Sequence, residues 1–227
     1  TLEEDLIPVT GRGQSVRVVA VRYDPYFDRA GLYQGPDGDF SDNLARFAFF
    51  SRAIIEVIAF LGSSRREPIS VLHLHDWQTA LAAVYLKTTE RGRAIVGDVR
   101  TLLTLHNVGY QGIFPGPQFS ETGLPSDLFT PAGLEFYGSV NLLKGGILFA
   151  DRVSTVSPTY AKEIMSPDGG FGLEGVLAGR RDGVVGIING IDIGSWDPET
   201  DRHLAATYSR ADLSGKAVCK KALQLEL

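Results

Sequence analysis

His73, Leu74, His75, Asp76 and Trp77 follow one another at the end of an apolar run, and His106-Asn107 ends another. His73 and His75 alternate with Leu74, so in a strand they share one face. With His106 they could complete a three-histidine metal site of a metal-dependent hydrolase. Trp77 and Gln78 stand where an H-x-H-x-D-H pattern would continue, and the alternative for His73 is a buried, hydrogen-bonded structural role. Asp76 directly precedes a helical pattern. It can cap that helix, or offer a carboxylate to sugar hydroxyls or to a developing positive charge. The Asn107 amide brings two donors and an acceptor.

The elements that must position these groups alternate. Apolar, β-branched runs at 16–21, 69–74, 101–105, 152–156 and 184–188 predict buried strands. Helical periodicity marks 43–60, 79–88 and 140–149, and Ser157-Pro158 opens a further helix through Met165. This alternation predicts a parallel α/β architecture. Ligands of an open parallel sheet bind beyond the carboxyl ends of its strands. Those ends are polar here: His73 to Trp77, His106-Asn107, Ser157, and Asn189-Gly190-Ile191-Asp192. The segment 109–138, rich in glycine and proline, is expected to cover the site as a long loop. Asn189-Gly190 reads as a hairpin or as a strand-to-loop turn, and the glycine-rich run 169–175 as a flexible loop.

The 227 residues carry 22 basic and 27 acidic side chains, a net charge of −5, and no Lys/Arg run longer than two. Nucleic acid is therefore not an expected partner. No apolar stretch reaches the ~20 residues of a membrane span, so no membrane partner is expected. The single cysteine, Cys219, precludes an internal disulfide. Serine-hydrolase elbows, P-loops and H-E-x-x-H motifs are absent from the sequence. Met165 is the only methionine and residue 1 is Thr1, so the chain is expected to be a piece of a longer protein.

Seven segments in order carry a resemblance. They are Tyr26-Phe27-Asp28-Arg29, Asp42-Asn43-Leu44-Ala45-Arg46-Phe47, His73-Leu74-His75-Asp76-Trp77, Leu105-His106-Asn107-Val108-Gly109-Tyr110-Gln111-Gly112, Ser154-Thr155-Val156-Ser157-Pro158-Thr159-Tyr160-Ala161, Gly172-Leu173-Glu174-Gly175 and Ile188-Asn189-Gly190-Ile191-Asp192. Together they resemble the bacterial glycogen synthase and plant-type starch synthase family. The resemblance implies a Rossmann-like parallel sheet, the amino-terminal domain of a two-domain GT-B glycosyltransferase, truncated at both ends. Residues 1–212 would form the partial acceptor-side domain and 213–227 the segment leading to a nucleotide-binding domain. It implies a retaining transferase that extends α-1,4-glucan with glucose from ADP-glucose, needing no cofactor and no metal, in bacterial cytoplasm or plastid stroma. His106 and Asp76 would be catalytic; Asn107, Tyr110, Gln111, Asn189, His75, Trp77 and Tyr33 would bind substrate. A Lys-x-Gly-Gly-Leu segment and the second domain have no counterpart here, so the chain alone is expected to be inactive. A non-catalytic glucan-binding remnant is the remaining alternative.

Overall fold

A computed structural model describes residues 1–9, 14–64, 69–96 and 99–227. It divides into two compact units, Thr1–Ile187 and Ile188–Leu227.

The first unit is built on a four-stranded sheet of Val71–His75, Arg100–Leu105, Arg152–Thr155 and Val185–Gly186, in that spatial order. All three pairings are parallel, with His75 opposite Thr104 and Thr155 opposite both Leu105 and Gly186. Alternation then sorts the side chains. Leu74, Leu103, Leu105 and Val153 are buried on the face that packs on helices. His73, His75, Thr104 and Ser154 share the other face.

The Asp76–Thr88 helix packs between Asn43–Ser64 and Leu142–Phe149. Its Trp77 and every residue from Ala80 to Leu86 are buried. A helix apolar on all sides belongs in the middle of a domain, and this one touches both neighbours and the sheet. Gly146 permits the close approach: a Cβ there would lie 2.6 Å from the Ala80 Cβ. At the opposite end of the sheet from the candidate site, Asp151 accepts from Lys87 Nζ at 2.6 Å and from Thr101 N at 2.7 Å.

Three of the five expected strands take their places in the parallel sheet, and the fourth shrinks to Val185–Gly186. The run at 16–21 does not join it. Gln14–Val21 pairs antiparallel with Leu2–Val9 in a separate two-stranded sheet, leaving Val16 and Val18 exposed. A β-branched run specifies a strand but not its partner, and an adjacent extended segment is the nearest one available in sequence. The segment 109–138 is also more ordered than a loop. Ile113–Pro115, Ser139–Asn141 and Glu135–Phe136 form a three-stranded antiparallel sheet. Ser157 caps Pro158–Glu163 as expected, its Oγ accepting from Thr159 N and Tyr160 N.

The Asp42 to Phe47 motif orders the segment before it. Arg46 is buried and donates to Tyr26 O, Leu32 O and Asn43 Oδ1, while Arg29 pairs with Asp42 at 2.6 Å. The second unit contains the Ser214–Glu226 helix and a turn in which Asp192 accepts from Gly194 N and Ser195 Oγ. No strand follows Asn189-Gly190 among the described residues, and the pair lies in irregular chain leading out of Val185–Gly186, so the hairpin reading falls away.

Candidate active site

The Val71–His75 strand passes into the next helix without a loop, and Asp76 absorbs the change of direction with φ of 53°. That left-handed conformation costs about 1–3 kcal/mol in a residue other than glycine, with Asp among the more tolerant. The sequence reading that Asp76 caps the helix is corrected: His75 holds the cap position without a side-chain bond, and Asp76 is the first helical residue. Thr79 serves the helix start instead, accepting from His75 N and donating to His75 O, both at 2.8 Å. The Asp76 carboxylate is turned toward the neighbouring strand end, where its Oδ1 accepts from His106 N at 2.8 Å. Strain therefore accompanies an aimed carboxylate.

Beside it, His75 Nδ1 and His106 Nε2 are 3.0 Å apart, so one must be protonated and the other not. His73 Nε2 meets Thr104 Oγ1 at 2.7 Å, and Thr104 Oγ1 meets Ser154 Oγ at 2.8 Å. His73 is thus hydrogen-bonded as expected for a structural histidine, but exposed rather than buried. Among the described residues no three His, Cys, Asp or Glu side chains are arranged to hold a metal ion. The hydrolase reading built on His73, His75 and His106 has no support.

Burial, and then His73 and His106, push the pKa of His75 below the usual histidine value, against a weaker opposing pull from Asp76. The unfolded chain takes up this proton near pH 6.5, the folded site only at lower pH. Stability associated with neutral His75 is therefore complete above about pH 6.5 and is lost as pH falls through the depressed folded value. Thermal midpoints measured from about pH 8 to about pH 5 should fall on the acid side, less steeply in His75→Gln. Equal slopes would show that His75 does not carry the effect.

The loop after His106 is stitched down at several points. Asn107 Oδ1 accepts from Gly109 N at 2.9 Å, and Tyr160 OH accepts from Val108 N at 2.9 Å. Tyr110 projects 69% exposed. Gln111 is buried with both ends of its amide engaged: Oε1 accepts from Asn141 Nδ2 at 2.6 Å and Nε2 donates to Phe171 O at 3.0 Å. Asn141 in turn caps the Leu142–Phe149 helix. Gly112, at φ of 61°, lies flat on the Trp77 ring, where a Cβ would come within 2.5 Å. Trp77 is itself buried, with its ring centroid 4.6 Å from that of Phe47 and 5.8 Å from that of Tyr33. Tyr33 keeps part of its ring exposed, and its hydroxyl accepts from Gln78 Nε2 at 2.7 Å.

The structure thus brings Asp76, His75 and His106 together, with Asn107 next in the chain and Tyr110 exposed on the same loop. Trp77 and Gln111 are turned inward, Tyr33 lies against Trp77, and Asn189 belongs to the second unit, where it is exposed. Sequence reasoning missed Thr79, Asn141 and Phe171 as positioning groups. Asn141 carried a visible signal, an Asn before an apolar helical run, obscured by starting that helix at 140. Phe171 carried none beyond its glycine neighbours.

The chain is 48% identical over 212 residues to glycogen synthase 2 of Geobacter sulfurreducens, covering 93% of this chain and 43% of that protein. It is 47% identical over 216 residues to the glycogen synthase of Koribacter versatilis, covering 95% and 44%. The catalytic domain of starch synthase IV from Arabidopsis thaliana, bound to ADP and acarbose, superposes with a TM-score of 0.73 at 33% identity, over all of this chain and 45% of that one. The chain therefore spans less than half the length of these relatives, and its α/β fold with a parallel sheet is that of a GT-B starch synthase catalytic domain. The starch synthase catalytic domain model matches residues 5–179, a span that includes the Asp76, His106 and Gln111 contacts, and the chain belongs to that family.

Proposed function

We propose that this chain is the acceptor-side part of a retaining glucosyltransferase that extends α-1,4-glucan with glucose from ADP-glucose. The observation that carries the reading is Asp76, held in a strained conformation with its carboxylate bonded to His106 N at the mouth of the sheet. Glycosyl transfer passes through an oxocarbenium-like centre, which a fixed carboxylate and oriented dipoles stabilise more than they stabilise the ground state. Asp76 supplies that charge and His106 lies beside the transferred sugar. His75 sets the tautomer of His106 through their shared bond.

Asn107 and Tyr110 would meet sugar hydroxyls and ring faces, with Tyr33 further along the acceptor path. Asn189, an exposed amide of the second unit, would offer its own donor and acceptor to sugar. Gln111 and Trp77 contribute by holding the loop and the helix start rather than by touching sugar. Residues 1–212 would act as the acceptor domain and 213–227 would lead to the domain that grips the nucleotide diphosphate. The ADP and acarbose bound to the Arabidopsis catalytic domain support both a nucleotide-sugar donor and an α-glucan acceptor. No described helix is long and apolar enough to cross a membrane. Bacterial cytoplasm or plastid stroma would be the setting of such an enzyme.

Titration of the chain with maltoheptaose, followed through Trp77 and Trp196 fluorescence, should saturate. A cellulose-derived oligosaccharide should not bind, and His106→Ala should weaken the maltoheptaose isotherm. Absence of α-glucan binding would overturn the reading. The chain alone should release no ADP from ADP-glucose, and measurable release would refute the requirement for a donor-binding domain.

A further inference from the structure

Two aromatic residues near the candidate site sit in the left-handed backbone region and still point into water. Tyr137 has φ of 50° and is 84% exposed; Phe171 has φ of 51° and is 61% exposed. A bulky residue at positive φ is strained, and a ring left in solvent gains little burial to offset the strain.

Both positions are nonetheless built. The Phe171 carbonyl accepts from the buried Gln111 amide at 3.0 Å. The turn carrying Tyr137 is pinned by Lys144 Nζ, which donates to Glu135 O, and by Glu135 Oε1, which accepts from Gly138 N at 2.6 Å. Phe136 then meets the Tyr137 ring edge-on at 4.7 Å. The two loops abut at Gly172, where a Cβ would lie 2.9 Å from Phe136 Cζ and 3.8 Å from Tyr137 Cε2. On the other side the Phe171 ring lies over Gly109, 3.7 Å from where its Cβ would be, and Gly109 N is bonded to Asn107. Exposed rings thus continue outward from Asn107 on a preorganised backbone.

The geometry points to Tyr137 and Phe171 as a stacking platform for the glucosyl rings of an α-1,4-glucan, extending the acceptor path beyond the histidine and asparagine loop. The inference rests on the acceptor reading above. Pyranose rings present flat C–H faces that pack on aromatic faces, and rings held in place before binding lose little freedom when the sugar arrives.

The test is calorimetric titration of the chain with maltoheptaose and with maltotriose, which fills fewer subsites. Tyr137→Gly and Phe171→Gly should each weaken maltoheptaose about tenfold while changing maltotriose less than about twofold. Glycine accepts positive φ, so the thermal midpoints of both variants should hold or rise. Tyr137→Phe should bind as the wild type does. Unchanged maltoheptaose affinity in both glycine variants, with His106→Ala still weakening binding, would overturn the platform and leave the acceptor reading intact. Concentration-dependent dimerisation lost in Tyr137→Gly, with glucan binding unaltered, would overturn it in favour of a contact between copies. Failure of the wild-type chain to bind any α-glucan would overturn both.

Discussion

Asp76→Asn should fold as stably as the wild type and yet lower glucosyl transfer at least about a hundredfold once a donor-binding domain completes the enzyme. The two halves of that expectation have separate causes. Asn tolerates the left-handed region as well as Asp does, and its carbonyl oxygen can still accept from His106 N. What it lacks is the negative charge that the proposed role sets against the reacting carbon. Asp76→Gly separates the effects further: it relieves the φ of 53°, removes the acceptor for His106 N, and should raise or preserve the thermal midpoint while abolishing transfer. Steady-state rates beside denaturant titrations of the same preparations decide the matter. An Asn variant with wild-type kcat would show that position 76 serves only the backbone.

Gly112→Ala should destabilise the chain by about 3 kcal/mol and lower its thermal midpoint by roughly 6–12 °C. The methyl would arrive 2.5 Å from Trp77 Cε3 and 2.8 Å from Cδ2. Trp77 cannot readily yield, because Phe47, Tyr33 and Phe114 surround its ring. Close-packed interiors transmit such a clash into backbone shifts instead of absorbing it. Gly138→Ala supplies the control. Gly138 also has positive φ, at 81°, but a Cβ there meets nothing within 4 Å, so only the conformational cost of about 1 kcal/mol applies. Equal losses in the two variants would mean that the Gly112 and Trp77 contact contributes nothing beyond backbone strain.

The two positions explain how the motifs operate. In the His-Asp-Trp segment, Asp76 turns toward the neighbouring strand end and Trp77 toward the core, so one tripeptide both aims a carboxylate and anchors the helix behind it. Gln111 and Gly112 do the same for the next strand end, one tying the loop to Asn141 and Phe171, the other seating it on Trp77. A reading of exposed polar residues as ligand groups therefore overcounts: several motif residues are there to hold the others.

Much of this protein is legible in its sequence. Apolar, β-branched runs and period-3.6 patterns located the strands ending at His75, Leu105 and Thr155 and the helices after them, because burial within a parallel sheet and against it enforces those patterns locally. The convergence of His75, Asp76 and His106 followed from parallel topology, which aligns the carboxyl ends of strands far apart in sequence. Tertiary structure alone decided the rest. That Gln14–Val21 pairs with Leu2–Val9 outside the parallel sheet depends on which edge is available, which no single strand encodes. That Asp76 leaves the cap position to bond His106, that Gln111 spends its amide on Asn141 and Phe171, and that Phe171 holds an exposed ring at positive φ depend on partners 30 or more residues away. Local sequence sets propensity and periodicity, whereas the direction of a side chain at a strained turn is chosen by whichever distant donor or acceptor the fold brings within reach.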